Sequence, residues 1–257
     1  MRKFAIVTGA SSGIGLEIAK LAAADGYDLL VAADTPFVDA AAGLDRLGVE
    51  VRQVECDLST VQAVDQLLDA SGGRDVDVLV ANAGVGKGGA FLDQETRDWR
   101  HSIDTNVTGT LLLIQPVLRA MVARGQGRIL ITGSIAGHVP GSFNAVYNGT
   151  KAFIDSFAAA LANEVKDTGV TVTCLKPGAT DTEFFARAGM LDTKVGQMKK
   201  DDAADVARTG WEAMLKGERT VVHGRLNQAQ VLAAGVLPEA VTAELHRQLA
   251  EPGSGEE

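Results

Sequence analysis

Cysteine is scarce: only Cys56 and Cys174 occur in 257 residues, each in or beside an apolar, strand-like run. Nothing around them speaks of secretion, so both read as buried structural thiols rather than a disulfide. Aromatic residues make up 5% of the chain against 46% hydrophobic residues overall. Any core must then be built from Ala, Val, Leu and Ile, as a buried parallel sheet flanked by helices requires. Positive charge is outnumbered, with 24 Lys and Arg against 33 Asp and Glu and a net charge of −9. That balance argues against a nucleic-acid or anionic-membrane surface. Long apolar runs are missing too. Phe4-Ala5-Ile6-Val7 is too brief for a signal peptide's apolar region, and no stretch is read as reaching the roughly 18 residues of a membrane span. The expected compartment is therefore the cytoplasm, with neither nucleic acid nor membrane as a partner. His101, His138, His223 and His246 lack ligand spacing, so no metal is expected.

What is present is an alternation. Strand-like runs near 3–8, 28–33, 49–55, 76–81, 127–133, 170–175 and 219–222 are separated by helix-period segments near 14–25, 37–47, 60–70, 94–123, 143–167 and 201–216. Such a pattern predicts a single α/β domain: a doubly wound, Rossmann-type fold with a seven-stranded parallel sheet flanked by helices. Residues 1–224 carry this fold, 225–250 read as one more helix of the same domain with Pro238 interrupting or ending a turn, and 251–257 read as a disordered tail.

The first strand runs into Thr8-Gly9-Ala10-Ser11-Ser12-Gly13-Ile14-Gly15, and a helix follows. A helix N-terminus offers unpaired N–H groups to a pyrophosphate, and glycine lets the backbone approach it. The second glycine cluster, Gly84-Val85-Gly86-Lys87-Gly88-Gly89, lacks both the upstream glycine and the hydroxyl residue of a phosphate-binding loop. It reads as a flexible loop beside the site.

Tyr147 and Lys151 stand four apart in a helical segment, which puts them on one face. A free phenol, with a pKa of about 10, is a poor base; a cation within ~4–6 Å lowers it by about 1–3 units, toward the range useful for acid–base catalysis. Ser134 follows Ile131-Thr132-Gly133, just past the C-terminal end of a strand, where open α/β sheets bind ligands.

Taken together these motifs resemble the short-chain dehydrogenase/reductase family over about residues 3–222. The Gly9–Gly15 loop is similar to its cofactor loop, Asp57-Leu58 to its adenine-side dipeptide and Asn82-Ala83-Gly84 to its NAG motif. Pro177-Gly178 with Thr182 is similar to its segment near the nicotinamide. Asn106, Ser134, Tyr147 and Lys151 fall in the order of its catalytic tetrad. The resemblance implies that Tyr147 exchanges the proton and Ser134 stabilises the substrate oxygen. Lys151 would hold the nicotinamide ribose and lower the phenol's pKa, and Asn106 would anchor a water linked to Lys151. It further implies cofactor contacts from Gly9, Ser11, Ser12, Gly13, Ile14, Gly15, Asp34, Asp57, Leu58, Asn82, Ala83 and Gly84, and from Tyr147, Lys151, Pro177, Gly178 and Thr182. Two departures stand out: Gly149-Thr150 replaces Ala/Ser-type residues, and Lys176 occupies a position more usually uncharged. Gly149 costs about 1 kcal/mol relative to alanine, and is read as permitting close backbone approach. The C-terminal extension resembles that of the DltE-like branch, a label that names no substrate.

Asp34, just after the second strand, disfavours a 2′-phosphate and can accept bonds from ribose hydroxyls, so NAD is favoured, with NADP as the alternative. The expected substrate pocket comprises Ser134, Ala136, His138, Asn144 and Phe184, with residues 179–200, including Met190, on the same side; the expected substrate is a small-molecule carbonyl or alcohol, medium-sized and partly hydrophobic. Rival readings are a 3-oxoacyl-thioester reductase, a non-catalytic cofactor sensor, and a carbon–carbon double-bond reductase. The Tyr–Lys spacing disfavours the last. The long helices resemble those that pair in family oligomers, so a homodimer or homotetramer is expected.

Overall fold

In the computed structural model, which describes residues 2–44, 46 and 48–256, β1 (Phe4–Thr8) is buried along its whole length, as a strand covered on both faces must be. Residues 45 and 47 of the expected second helix, and residue 257 of the expected tail, lie outside the described residues. The chain continues through α1 (Gly13–Ala24), β2 (Asp28–Ala33), α2 (Val38–Leu44), β3 (Val51–Glu55), α3 (Val61–Ala70) and β4 (Val78–Ala81). After α4 (Thr96–Ile103), a π-helical turn over Asp104–Gly109 and α5 (Thr110–Arg124) come β5 (Gly127–Thr132), α6 (Ala145–Glu164) and β6 (Val170–Lys176). The short helices α7 (Phe184–Arg187) and α8 (Lys194–Gln197) precede α9 (Ala203–Lys216), β7 (Thr220–Val222), α10 (Arg225–Ala234) and α11 (Glu239–Ala250).

The seven strands form one parallel sheet in the order β3-β2-β1-β4-β5-β6-β7, which is the doubly wound α/β architecture expected. Alternation along each strand supplies two cores. Phe4, Ile6, Leu30 and Leu79 face Leu67, Leu113, Ile114 and Ile154, whereas Val7, Leu29, Val31 and Val80 face Ile18, Ala22, Val206 and Trp211. Local chemistry places the helix ends. Thr60 caps α3 by accepting from Ala63 N at 3.2 Å, Asp202 caps α9 by accepting from Ala204 N at 2.7 Å, and Gly125 and Gly217 end α5 and α9 at φ 70° and 72°. Both cysteines are free and buried.

Three expectations change. The helix expected near 94–123 is present as one run over Thr96–Arg124, widened by the π turn between α4 and α5, and it is apolar and long enough to cross a membrane by length and composition, where no such run was expected. Here its apolar face, including Leu113, Ile114, Val117 and Met121, packs into the core. The helix over 225–250 is two, because Pro238 caps α11 and cannot continue α10. Residues 251–256 fold back rather than trail off: Gly253 N donates to Asp192 Oδ2 at 2.8 Å, Gly255 N to Asp192 O at 2.9 Å, and Lys194 N to Ser254 Oγ at 3.0 Å. Small residues leave those amides free to find acceptors.

Candidate active site

β1 is paired with β2 on one side and β4 on the other, so the chain leaves the sheet in opposite directions at the C-terminal ends of β1 and β4. That opens the crevice in which doubly wound sheets bind ligands. A groove of ≈ 910 Å³ occupies it. Twenty of the sequence-predicted residues line it: Gly9, Ser11, Ser12, Gly13, Ile14, Asp34, Asp57, Leu58, Asn82, Ala83, Gly84, Ser134, Ala136, Asn144, Tyr147, Lys151, Pro177, Gly178, Thr182 and Phe184. Gly15, Asn106 and His138 do not.

The glycine loop is tied down from behind. Thr8 Oγ1 donates to Val80 O at 3.2 Å and accepts from Asn82 N and Ala83 N, each at 3.0 Å. Asn82 Nδ2 donates to Thr8 O at 3.0 Å and Thr132 Oγ1 donates to Asn82 Oδ1 at 3.0 Å, so the Asn82 side chain braces β1, β4 and β5 at once. Gly9 holds φ +66°, and a Cβ on Gly15 would meet Gly9 O at 2.2 Å. Gly15 therefore serves helix–loop packing rather than the groove wall. Ser12, the N-cap of α1, makes no side-chain cap bond, which leaves the first-turn amides available to an anion. A cradle of that kind, continued by Asp34, Cys56, Asp57 and Leu58 in one direction and Lys151 and Tyr147 in the other, fits an extended dinucleotide.

At the far end, Ser134 leaves β5 and Tyr147 and Lys151 sit on α6. Ser134 and Tyr147 line the groove together, and Ser134 Oγ accepts from Ala136 N at 3.1 Å. Lys151 Nζ donates to Thr132 O at 2.8 Å and lies 5.8 Å from the Tyr147 ring centroid. Burial pushes the Tyr147 phenol up to about 12, against a downward pull from the neighbouring Ser134 and with a further push from Asp155. The lowering expected from Lys151 is not among the influences on the phenol; desolvation pushes the Lys151 ammonium itself down, with Asp155 and Cys174 opposing.

Asn106 lies inside the π turn, where Oδ1 accepts from Val85 N at 2.8 Å and Nδ2 donates to Val85 O at 2.8 Å and to Thr150 Oγ1 at 2.9 Å. It braces the loop after β4 against α6. A Cβ on Gly84 would come 3.3 Å from Asn106 Oδ1 and 3.5 Å from Lys151 Nζ, so the two groups converge there. Thr150 emerges as a positioning residue that sequence reasoning noted only as a departure. Its hydroxyl donates to Tyr147 O at 2.7 Å while accepting from Asn106. Gly149 is corrected: a Cβ there would meet nothing within 4 Å.

His138 is a second correction. Its ring points away from the groove, where Nε2 accepts from Lys176 Nζ at 3.0 Å and lies 3.5 Å from Asp155 Oδ2. Burial and the Lys176 charge push its pKa down, with Asp155 opposing. Asn144 does face the groove, with a buried Oδ1 that has no partner. Phe184 packs its ring 4.9 Å from that of Tyr147. The largest omission lies in the C-terminal helices and their link: Val231, Leu237, Leu245, His246 and Leu249 line the groove alongside Met190. Their only sequence signal was the apolar content of the C-terminal extension.

Comparison with known proteins bears on the family and the fold. Residues 3–190 match the family model described as short chain dehydrogenase. The 3-oxoacyl-(acyl-carrier-protein) reductase of Escherichia coli is 33% identical over 196 residues, covering 76% of this chain and 80% of that one. Among solved structures, a short chain dehydrogenase/reductase from Burkholderia phymatum in complex with NAD superposes with TM-score 0.82 at 25% identity, covering 90% of this chain and 92% of that one. A short-chain dehydrogenase from Sphingobium yanoikuyae in complex with NADPH gives TM-score 0.79 at 27% identity, covering 93% and 97%. The chain belongs to the short-chain dehydrogenase family and is an NAD(P)-dependent oxidoreductase.

Proposed function

We propose that the chain interconverts a secondary alcohol and a ketone or aldehyde, with Tyr147 as the acid/base, Ser134 holding the substrate oxygen and Lys151 and Asn106 completing the tetrad. The observation that carries this reading is that Ser134, Tyr147 and Lys151 line one groove with Asp34, the Lys151 ammonium lying 5.8 Å from the Tyr147 ring centroid. When bound, a nicotinamide supplies or accepts the hydride and, in its oxidised form, a positive charge. Gly9, Ser11–Ile14, Asp34, Asp57-Leu58, Asn82–Gly84, Pro177-Gly178 and Thr182 would hold the dinucleotide. In reduction the Tyr147 phenol gives its proton to the developing alkoxide, and Ser134 donates a hydrogen bond that stabilises its charge. In oxidation Tyr147 takes the hydroxyl proton.

NAD is the favoured cofactor, because the Asp34 carboxylate suits ribose hydroxyls better than a phosphate. The apolar groove residues Met190, Val231, Leu245 and Leu249 favour a medium-sized, partly hydrophobic carbonyl or secondary alcohol. Likeness to the Escherichia coli enzyme supports a second reading, reduction of a 3-oxoacyl thioester; comparing kcat/KM for a 3-oxoacyl thioester and for a simple ketone separates the two. Tyr147→Phe is expected to lose turnover by a factor of about 100 or more while dinucleotide binding persists. Retained turnover would remove Tyr147 from its role, and a wild type idle on a broad panel of alcohols and ketones would favour a cofactor sensor.

A further inference from the structure

The segment that follows the Pro177-Gly178 turn lies across the groove and is held at three points. Thr182 packs against the glycine loop so closely that a Cβ on Gly13 would come 2.7 Å from Thr182 Cγ2. Phe184 packs on Tyr147. Arg187, the last residue of α7, forks onto Asp34: Nη1 donates to Oδ1 at 3.2 Å and Nη2 donates to Oδ2. The partners are 153 residues apart in sequence, and both line the groove. Their side chains keep 46% and 27% exposure, so a ligand entering that end reaches both.

A planar guanidinium that fits a carboxylate through two N–H donors fits a phosphate monoester in the same way. A bare carboxylate at this position would repel a phosphate. We propose that Arg187 is the residue that lets this groove accept a 2′-phosphorylated dinucleotide. Paired with Asp34 it neutralises the repelling charge, and it can exchange the carboxylate for the phosphate. The unphosphorylated ribose, having hydroxyls only, bonds to Asp34 and leaves Arg187 in place. Cofactor choice in this chain then lies in a pair drawn from two distant segments, the end of β2 and the cover over the groove. The inference rests on the dinucleotide reading given under Proposed function.

Titration calorimetry of the full chain with NAD and with NADP tests it without recourse to turnover, and thermal melts show that each variant is folded. Arg187→Ala is expected to weaken NADP binding about tenfold or more while NAD binding stays within about threefold. Asp34→Ala is expected to do the reverse, weakening NAD and retaining or tightening NADP. Raising the salt concentration should cost NADP affinity more than NAD affinity in wild type and level the two losses in Arg187→Ala. Arg187→Gln, which keeps length and polarity without charge, should follow Arg187→Ala. Equal weakening of both dinucleotides by Arg187→Ala and Arg187→Gln would assign Arg187 to holding the cover and overturn the inference, as would an unchanged NADP affinity. Wild type binding neither dinucleotide would overturn the cofactor reading of the groove itself.

Discussion

Behind Tyr147 and Lys151 sits a second charged group. Asp155 is one turn along α6 from Lys151; its Oδ2 lies 3.2 Å from Lys176 Nζ, and the side chains are 7% and 11% exposed. Lys176 was noticeable in the sequence as a charge where an uncharged residue is usual, but nothing local told where its partner was. Removing one member of a buried pair leaves the other charge uncompensated, so Lys176→Leu is expected to destabilise the fold by about 3–5 kcal/mol. Replacing Asp155 by Leu in the same chain should restore much of that loss. Urea unfolding of the single and double variants decides it, and equal losses in both would show that the pair itself contributes little. The titration of Tyr147 gives a prediction in solution. A phenol pushed up to about 12 holds its proton through neutral pH, which suits reduction, whereas oxidation needs the phenolate. Alcohol oxidation should therefore rise with pH from 7 to 10 while carbonyl reduction stays flat or falls; equal profiles in both directions would exclude Tyr147 as the titrating group. Ser134, Tyr147 and Lys151 were legible because their spacing and their place beside β5 are local properties. His138 was misplaced because one residue's direction after a strand depends on what lies behind it, here Lys176 and Asp155.

At the scale of elements, the most consequential feature is the π turn between α4 and α5. Apolar periodicity runs through residues 94–123, so the sequence reads as one helix, whereas a wider turn, common at functional sites, is inserted where Asn106 must reach Val85 and Thr150. Gly109 closes that turn against the segment after β3: a Cβ there would meet Leu58 O at 2.0 Å. Gly109→Ala is expected to cost about 1–3 kcal/mol through overpacking and to weaken dinucleotide binding, since Asp57 and Leu58 line the groove. Thermal melts and calorimetry on the same sample check both parts. A variant unchanged in both would mean that the turn yields without moving its neighbours.

At the scale of the molecule, the faces of α5 and α6 turned from the sheet carry apolar residues. Phe153, 45% exposed, stacks on Phe157 with centroids 6.2 Å apart and planes 9° apart, and Val122 is 37% exposed. A second copy packed on this face would cover them, in keeping with the homodimer or homotetramer expected from the long helices. Light scattering should give twice or four times the chain mass of 26.8 kDa, and Phe153→Asp should lower it. A wild type that scatters as a monomer at micromolar concentration would refute the oligomer. The C-terminal helices belong to this scale as well, because they line a groove otherwise built by the rest of the chain.

Strand and helix order, the parallel sheet, the phosphate-facing loop and the Tyr–Lys pair were determined by the sequence alone. Each depends on residues within a few positions of one another, through side-chain period, glycine placement and spacing along one helix. The tertiary structure alone decided that Arg187 meets Asp34, that Asp155 meets Lys176, that Asn106 braces Val85 and Thr150, and that α10 and α11 line the groove. Those pairings join segments far apart in the chain, and no local pattern encodes which distant surface a side chain will meet until the sheet has brought the two together.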